Sequence, residues 1–136
     1  MAPLELPGPW LLPVANFDIL TVTFSERLTI VAYGGDAGTC KMSFACELEI
    51  RDALGVAAVL DVANQPWESW VSVLSLRRDR LASATATADG TLRIALASGR
   101  SLTAAPDASY ESWEVSGPDP LSLIAPPGGG DPRWKP

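Results

Sequence analysis

From Cys40 to Ile50 the chain alternates without a break. Cys40, Met42, Phe44, Cys46, Leu48 and Ile50 are apolar, and Lys41, Ser43, Ala45, Glu47 and Glu49 between them are polar or small. A period of two is the signature of a half-buried strand and is incompatible with a helical stripe. The run therefore predicts one long strand and commits the chain to a β-rich core. The same alternation separates the cysteines. Six residues along a strand span about 20 Å, beyond the ~7 Å Cα limit of a disulfide. Both thiols face the apolar side and read as small buried hydrophobes.

Shorter runs extend the pattern. Trp10 to Val14 is a brief strand that Pro13 assigns to an edge or entry position, and Ala15-Asn16 turns the chain. Leu20, Val22 and Phe24, then Leu28, Ile30 and Ala32, line one face on either side of a Ser25-Glu26-Arg27 turn. Val56 to Val62 is a continuous apolar run that suits a strand or a buried helix. Leu81–Ala88 and Thr91–Ala97 flank Asp89-Gly90, a dipeptide suited to a type I′ hairpin. Ser101–Ala105, Ser109–Ser116 and Leu121–Ala125 complete the strands. Leu20-x-Val22-x-Phe24 with Leu28-x-Ile30 matches Leu92-x-Ile94-x-Leu96 with Leu102-x-Ala104, so a β-meander is expected twice.

One segment has the other period. Trp67, Trp70, Val71 and Leu74 fall at i, i+3, i+4 and i+7, which predicts an amphipathic helix over about 65–79. Asn64 or Gln65 stands at its N-cap and Pro66 in its first turn. The fold class expected is α+β, mainly antiparallel β, with two meander-like halves and this helix packed on the sheet. Residues 1–136 form a single domain, with 1–9 and 127–136 as extended or flexible ends. The Gly128-Gly129-Gly130 loop can fold back so that Trp134 docks.

Composition narrows the chemistry. The chain has 136 residues, a net charge of −6 and no histidine. That charge disfavours nucleic acid, whose binding draws on a basic face. Without histidine, Ser-His and Cys-His pairs and histidine metal sites are excluded, and two cysteines on one strand do not make a four-thiolate site. No cofactor or metal is expected. No apolar run approaches the ~20 residues of a membrane helix, and the first residues lack the pattern of a secretory leader. The expected location is the cytoplasm.

Chemistry concentrates in Tyr110-Glu111-Ser112-Trp113-Glu114, followed by Gly117-Pro118 and Pro127-Gly128-Gly129. As a strand, Tyr110, Ser112 and Glu114 share one face, and Glu111, Trp113 and Val115 the other. Trp113 then belongs in the core, and Glu111 needs a rim position or a cationic partner such as Arg93 or Arg100. The low-specificity binding candidates are Tyr110, Glu111, Trp113, Glu114 and Arg100, with no catalytic residue assigned. Glu111 and Glu114 as an acid/base pair would lie on opposite faces, which opposes that role.

Together with Leu92-Arg93-Ile94-Ala95-Leu96, Ser98-Gly99-Arg100 and Pro106-Asp107, this signature resembles an uncharacterised, mostly actinobacterial family of small proteins, a domain of unknown function. The resemblance covers roughly residues 81–134. The chain departs from it in having Ser112 where alanine is usual. It implies no activity. The function expected is a non-catalytic binding or interaction protein, immunity-like or accessory, with a protein partner or self-association. The alternative is a small carboxylate-dependent enzyme or small-ligand binder using the Tyr110–Glu114 corner. A large apolar cleft next to Glu111 with no arginine partner would favour the alternative, and a salt-bridged Glu111 with no pocket the binding reading.

Overall fold

Among the described residues the alternating runs become twelve strands in two antiparallel six-stranded sheets. The computed structural model describes residues 9–45, 47–62, 71–118, 121–130 and 132–134. In one sheet the order is β1 (Trp10–Leu11), β7 (Leu81–Ala86), β8 (Leu92–Leu96), β9 (Ser101–Ala104), β5 (Glu47–Arg51), β6 (Ala57–Asp61). In the other it is β12 (Arg133–Trp134), β11 (Ser122–Ile124), β10 (Trp113–Ser116), β4 (Thr39–Phe44), β3 (Leu28–Tyr33), β2 (Asp18–Phe24). Their inward residues form one apolar core, with Trp113, Phe44, Leu28, Ile30 and Met42 among its largest fully buried side chains.

The long strand expected over Cys40–Ile50 is two strands in different sheets. The chain leaves one sheet after Phe44 and enters the other at Glu47. Cys40, Met42, Phe44 and Leu48 are all buried, so the alternation survives the switch because both sheets face the same core. Burial pushes the Cys40 thiol up to about 12, which leaves it inert. Cys46 lies outside the described residues.

Each half follows the same path. The meander β2-β3-β4 sits in one sheet, and the next hairpin, β5-β6, crosses to the other. The meander β7-β8-β9 then builds the second sheet, and its following hairpin, β10-β11, crosses back to pair with β4. Each sheet thus joins one half's meander to the other half's hairpin, in matching orders 2-3-4-10-11 and 7-8-9-5-6.

Fine detail repeats too. A bulge after Ile19 in β2 has its counterpart after Leu81 in β7. The halves meet at an antiparallel bridge, Asp18 opposite Arg80. There Ile19 N–H donates to Asp79 O at 3.0 Å and Leu81 N–H to Phe17 O at 2.8 Å. The expected repeat is therefore real in kind but displaced by one strand, since β2-β3 corresponds to β7-β8 and not to β8-β9. Apolar alternation is common to every hairpin; the bulges and the strand order distinguish them. The β2 bulge also turns Leu20 outward, contrary to the expected apolar face, while Ile19 is buried.

The amphipathic helix expected over 65–79 is not seen. Its 65–70 portion, with Trp67 and Trp70, lies outside the described residues. Val71–Leu74 forms a single α turn, followed by a 3₁₀ turn at Ser75–Arg78. Val73 and Leu76 are buried, and Leu74, placed on the expected stripe, is exposed. A three-residue spacing matches the tighter 3₁₀ period. Arg77 Nε donates to Leu20 O at 3.3 Å, so this turn covers the edge of β2, as β1 covers that of β7.

The type I′ expectation at Asp89-Gly90 also changes. Gly90 has φ 94°, but Asp89 is not left-handed. Gly90 N–H donates to Thr87 O and Thr87 N–H to Thr91 O, a three-residue loop with a glycine bulge. Ala53-Leu54-Gly55 and Ala97-Ser98-Gly99 turn with the same pair of hydrogen bonds. Ala-x-Gly is thus the shared hairpin signal of β5-β6, β7-β8 and β8-β9.

Candidate functional site

Equivalent points on the two crossovers are set by strand pairing. Met42 pairs with Val115, and Leu102 with Ile50. Met42 to Ile50 is eight residues along the chain and Leu102 to Val115 is thirteen, so the second crossover carries five extra residues. The extra length falls between Ala104 and Trp113, the stretch that holds Pro106-Asp107 and Tyr110-Glu111. The expected Ser109–Ser116 strand accordingly begins only at Trp113.

Within the insertion, Asp107 organises its own turn. Its Oδ1 accepts the N–H groups of Ser109 (2.8 Å) and Tyr110 (3.1 Å), an Asx turn that bends the chain away from the extended path. Its carbonyl accepts Gly128 N–H at 2.6 Å, tying the insertion to the returning C-terminal segment. That segment folds back along the molecule. Gly130 N–H donates to Asp89 O at 3.0 Å, and β12 pairs with β11 through Leu123 and Trp134.

The candidate residues separate into four groups. Trp113 is wholly buried and its indole N–H donates to Gly90 O at 2.8 Å; it locks β10 to the β7-β8 turn. Glu114 is half-buried in the middle of the sheet, opposite Ser43 and Ile124. Arg100 is committed elsewhere. Its guanidinium pairs with Asp79 at 2.9 Å and donates to the Ser75 hydroxyl at 2.7 Å, so it is not the partner of Glu111. Burial would raise the Asp79 carboxyl. The Ser98 hydroxyl, Arg80 N–H, Arg100 guanidinium and Ser98 N–H together hold it below the usual carboxylate range.

Tyr110 and Glu111 remain in solvent. They wall a cleft of about 770 Å³ between the insertion, the β2-β3 turn and the base of the β5-β6 hairpin. Glu26, Glu47, Asp61, Asp107 and Glu111 contribute carboxylates, and Arg27 is the cation among them. Among the described residues no ion pair engages Glu111. A cleft next to Glu111 is therefore present, but carboxylates and a guanidinium line it together with Pro106, Pro127 and Tyr110, so it is not the apolar cleft that the alternative calls for. Glu26, Arg27, Glu47 and Asp61 were not anticipated from the sequence. They come from three separate elements, and only the sheet switch after Phe44 brings Glu47 to the insertion. Among the described residues no cluster of potential metal ligands occurs, and no helix is long and apolar enough to cross a membrane.

Ser112, the residue before β10, is buried, and its hydroxyl has no hydrogen-bond partner. Its backbone carbonyl accepts Ala45 N–H at 2.9 Å, joining the two crossovers. The backbone at this position is engaged and the hydroxyl is not. Comparison with the curated proteins and with the solved structures finds no match. A family model does match, over residues 10–134, nearly the whole chain: the protein belongs to the Family of unknown function (DUF6188).

Proposed function

We propose that this chain is a non-catalytic binding protein whose cleft receives a positively charged segment of a partner protein, in an immunity-like or accessory role in the cytoplasm. The observation that carries the reading is the cleft itself, open and walled by five carboxylates against one guanidinium. Opposite charge steers such a partner and sets its orientation. Tyr110 supplies an exposed aromatic of the kind that anchors interfaces.

Calorimetric titration with an Arg/Lys-rich peptide tests it. Binding should weaken steeply with added salt, and Glu47→Lys with Glu111→Lys should abolish it without altering the unfolding curve. Binding that ignores both salt and charge reversal would sink the proposal. In the native genome, a toxin-like reading frame beside this one supports the immunity role, and metabolic neighbours oppose it.

The rival, a carboxylate-dependent enzyme or small-ligand binder at the same corner, draws on the unpaired Glu111. Opposing it, Glu26, Glu47 and Glu111 are all exposed, whereas a general acid at neutral pH needs a desolvated carboxyl. Hydrolysis of a glycoside panel that disappears in Glu111→Gln would establish the rival.

A further inference from the structure

The cleft has an internal counterpart, and that counterpart is filled. Strand pairing makes Ile50 the equivalent of Val115, so two residues earlier Leu48 is the equivalent of Trp113. One residue further back, Glu47 lies opposite Asp61, and the β10-β11 register carried on past Glu114–Ile124 sets Ser112 opposite Pro126. On that side Pro126 to Gly129 makes a type II turn, with Gly129 N–H donated to Pro126 O at 3.2 Å and Gly128 at φ 82°. Gly130 N–H then reaches Asp89 O in the β7-β8 turn, and the Trp113 indole reaches Gly90 O. Ser112 and Pro126 are both buried. A Cβ on Gly129 would stand 3.2 Å from Asp89 O, and one on Gly90 2.9 Å from Gly130 O, so bare backbone passes there.

Three differences open the cleft side. The β2-β3 turn has three residues between paired Phe24 and Leu28, where β7-β8 has five between Ala86 and Leu92. Leu48 stands in place of the tryptophan, with no indole to reach the turn. Glu47, exposed, and Asp61, half-buried, stand in place of buried Ser112 and Pro126. The room left between the shorter turn and the base of the β5-β6 hairpin is the cleft of about 770 Å³.

We infer that the partner's segment enters the cleft as a tight Pro-Gly turn, laid against the β2-β3 turn as Pro126–Gly130 lies against β7-β8, with arginine where this chain has glycine. The filled side is held by backbone N–H groups given to turn carbonyls. A helix keeps all but its first four N–H groups for itself and is about 10 Å across, so it does not reproduce that contact. Side chains fit on the cleft side because the turn is shorter and the indole is missing. Guanidinium groups meet the carboxylates of Glu47 and Glu111 as planar forks, and the exposed ring of Tyr110 offers a face for stacking. This deepens the reading of a positively charged partner and rests on it: that reading fixes the charge of the segment, and this one its backbone shape.

Two peptides of equal charge separate shape from charge. One is cyclic Arg-Pro-Pro-Gly-Arg-Arg, and the other an alanine-rich helix of about 15 residues carrying the same number of arginines. In calorimetric titration of the full chain, the cyclic peptide should bind at least about tenfold tighter than the helix. On its addition the amide resonances of Glu26, Arg27 and Glu47 should shift, and those of Thr87, Asp89 and Gly90 should not. Glu47→Ser, which copies the filled side, should weaken the cyclic peptide about three- to fivefold with the unfolding curve unchanged. Equal or tighter binding of the helix would overturn the inference and leave the positively charged partner standing. So would an affinity indifferent to Glu47→Ser, or shifts confined to the β7-β8 turn, where the peptide would be displacing the C-terminal segment. If neither peptide binds, both readings fall.

Discussion

The two crossovers perform the same topological step with different contents. The first passes from β4 to β5 through residues 45–46, and the second from β9 to β10 through residues 105–112. Switching sheets needs only the short form. What the longer one adds is not demanded by the fold, and it is there that Tyr110, Glu111 and the Asp107 turn reside. The same asymmetry marks the start of each meander. Phe17 is buried before β2, and its counterpart before β7 is Asp79, held by Ser98 and Arg100. One half is anchored by apolar packing and the other by a buried carboxylate. Around the β7-β8 turn, Trp113 and the C-terminal segment close the structure, whereas the β2-β3 turn opens on the cleft.

The comparison breaks most readily at Trp113. Truncating it to alanine leaves a void where β10 meets the β7-β8 turn and should cost about 3–5 kcal/mol in denaturant unfolding. Leu48→Ala, on the equivalent strand, should cost about 2–5 kcal/mol and leave Gly90 untouched. If Trp113→Ala proves the milder of the two, Trp113 is not the lock described above.

Next in size is Asp79. Replacement by asparagine removes a charge-assisted network, a loss of about 2–3 kcal/mol. Its folded carboxyl titrates below the ordinary value of 3.8, so in acid the unfolded chain binds the proton more readily. The stabilisation is present above that value and is lost as pH falls through the lower folded one. Acid unfolding should therefore be flatter in Asp79→Asn than in wild type, and an unchanged slope would refute the assignment.

Two glycines give a smaller contrast. A left-handed alanine costs about 1–2 kcal/mol, which is all that Gly55→Ala should show, because its Cβ meets open space. Gly90→Ala adds a contact 2.9 Å from Gly130 O and should lose about 1 kcal/mol more. Equal losses would mean that the C-terminal segment does not press on the turn. The least effect belongs to Ser112→Ala, which removes a buried hydroxyl without a partner and should be neutral or stabilising by up to about 1 kcal/mol.

Much of this molecule was legible because burial imposes a period. The strands around Ile30, Ile94 and Leu102 were readable, and so was the core position of Trp113, since alternate residues of a strand must face one core. The break after Phe44 was not. Residues on either side of a sheet switch keep the same alternation when both sheets bound the same interior. The helix failed for a related reason. Val71 and Leu74 satisfy a helical spacing, but the chain before Leu81 has to reach the edge of β2, and an α turn followed by a short 3₁₀ turn buries Val73 and Leu76 there instead. At the cleft, Glu111 was visible as a carboxylate in want of a partner. Nothing local linked it to Glu26, Glu47 or Asp61.

By itself the sequence determined the β class, the inward residues and the exclusion of histidine chemistry, because composition and period are local properties. Tertiary structure alone decided which meander pairs with which hairpin and that Arg100 serves Asp79. These depend on strand order and register, and chain segments with the same alternation do not carry that information until they meet.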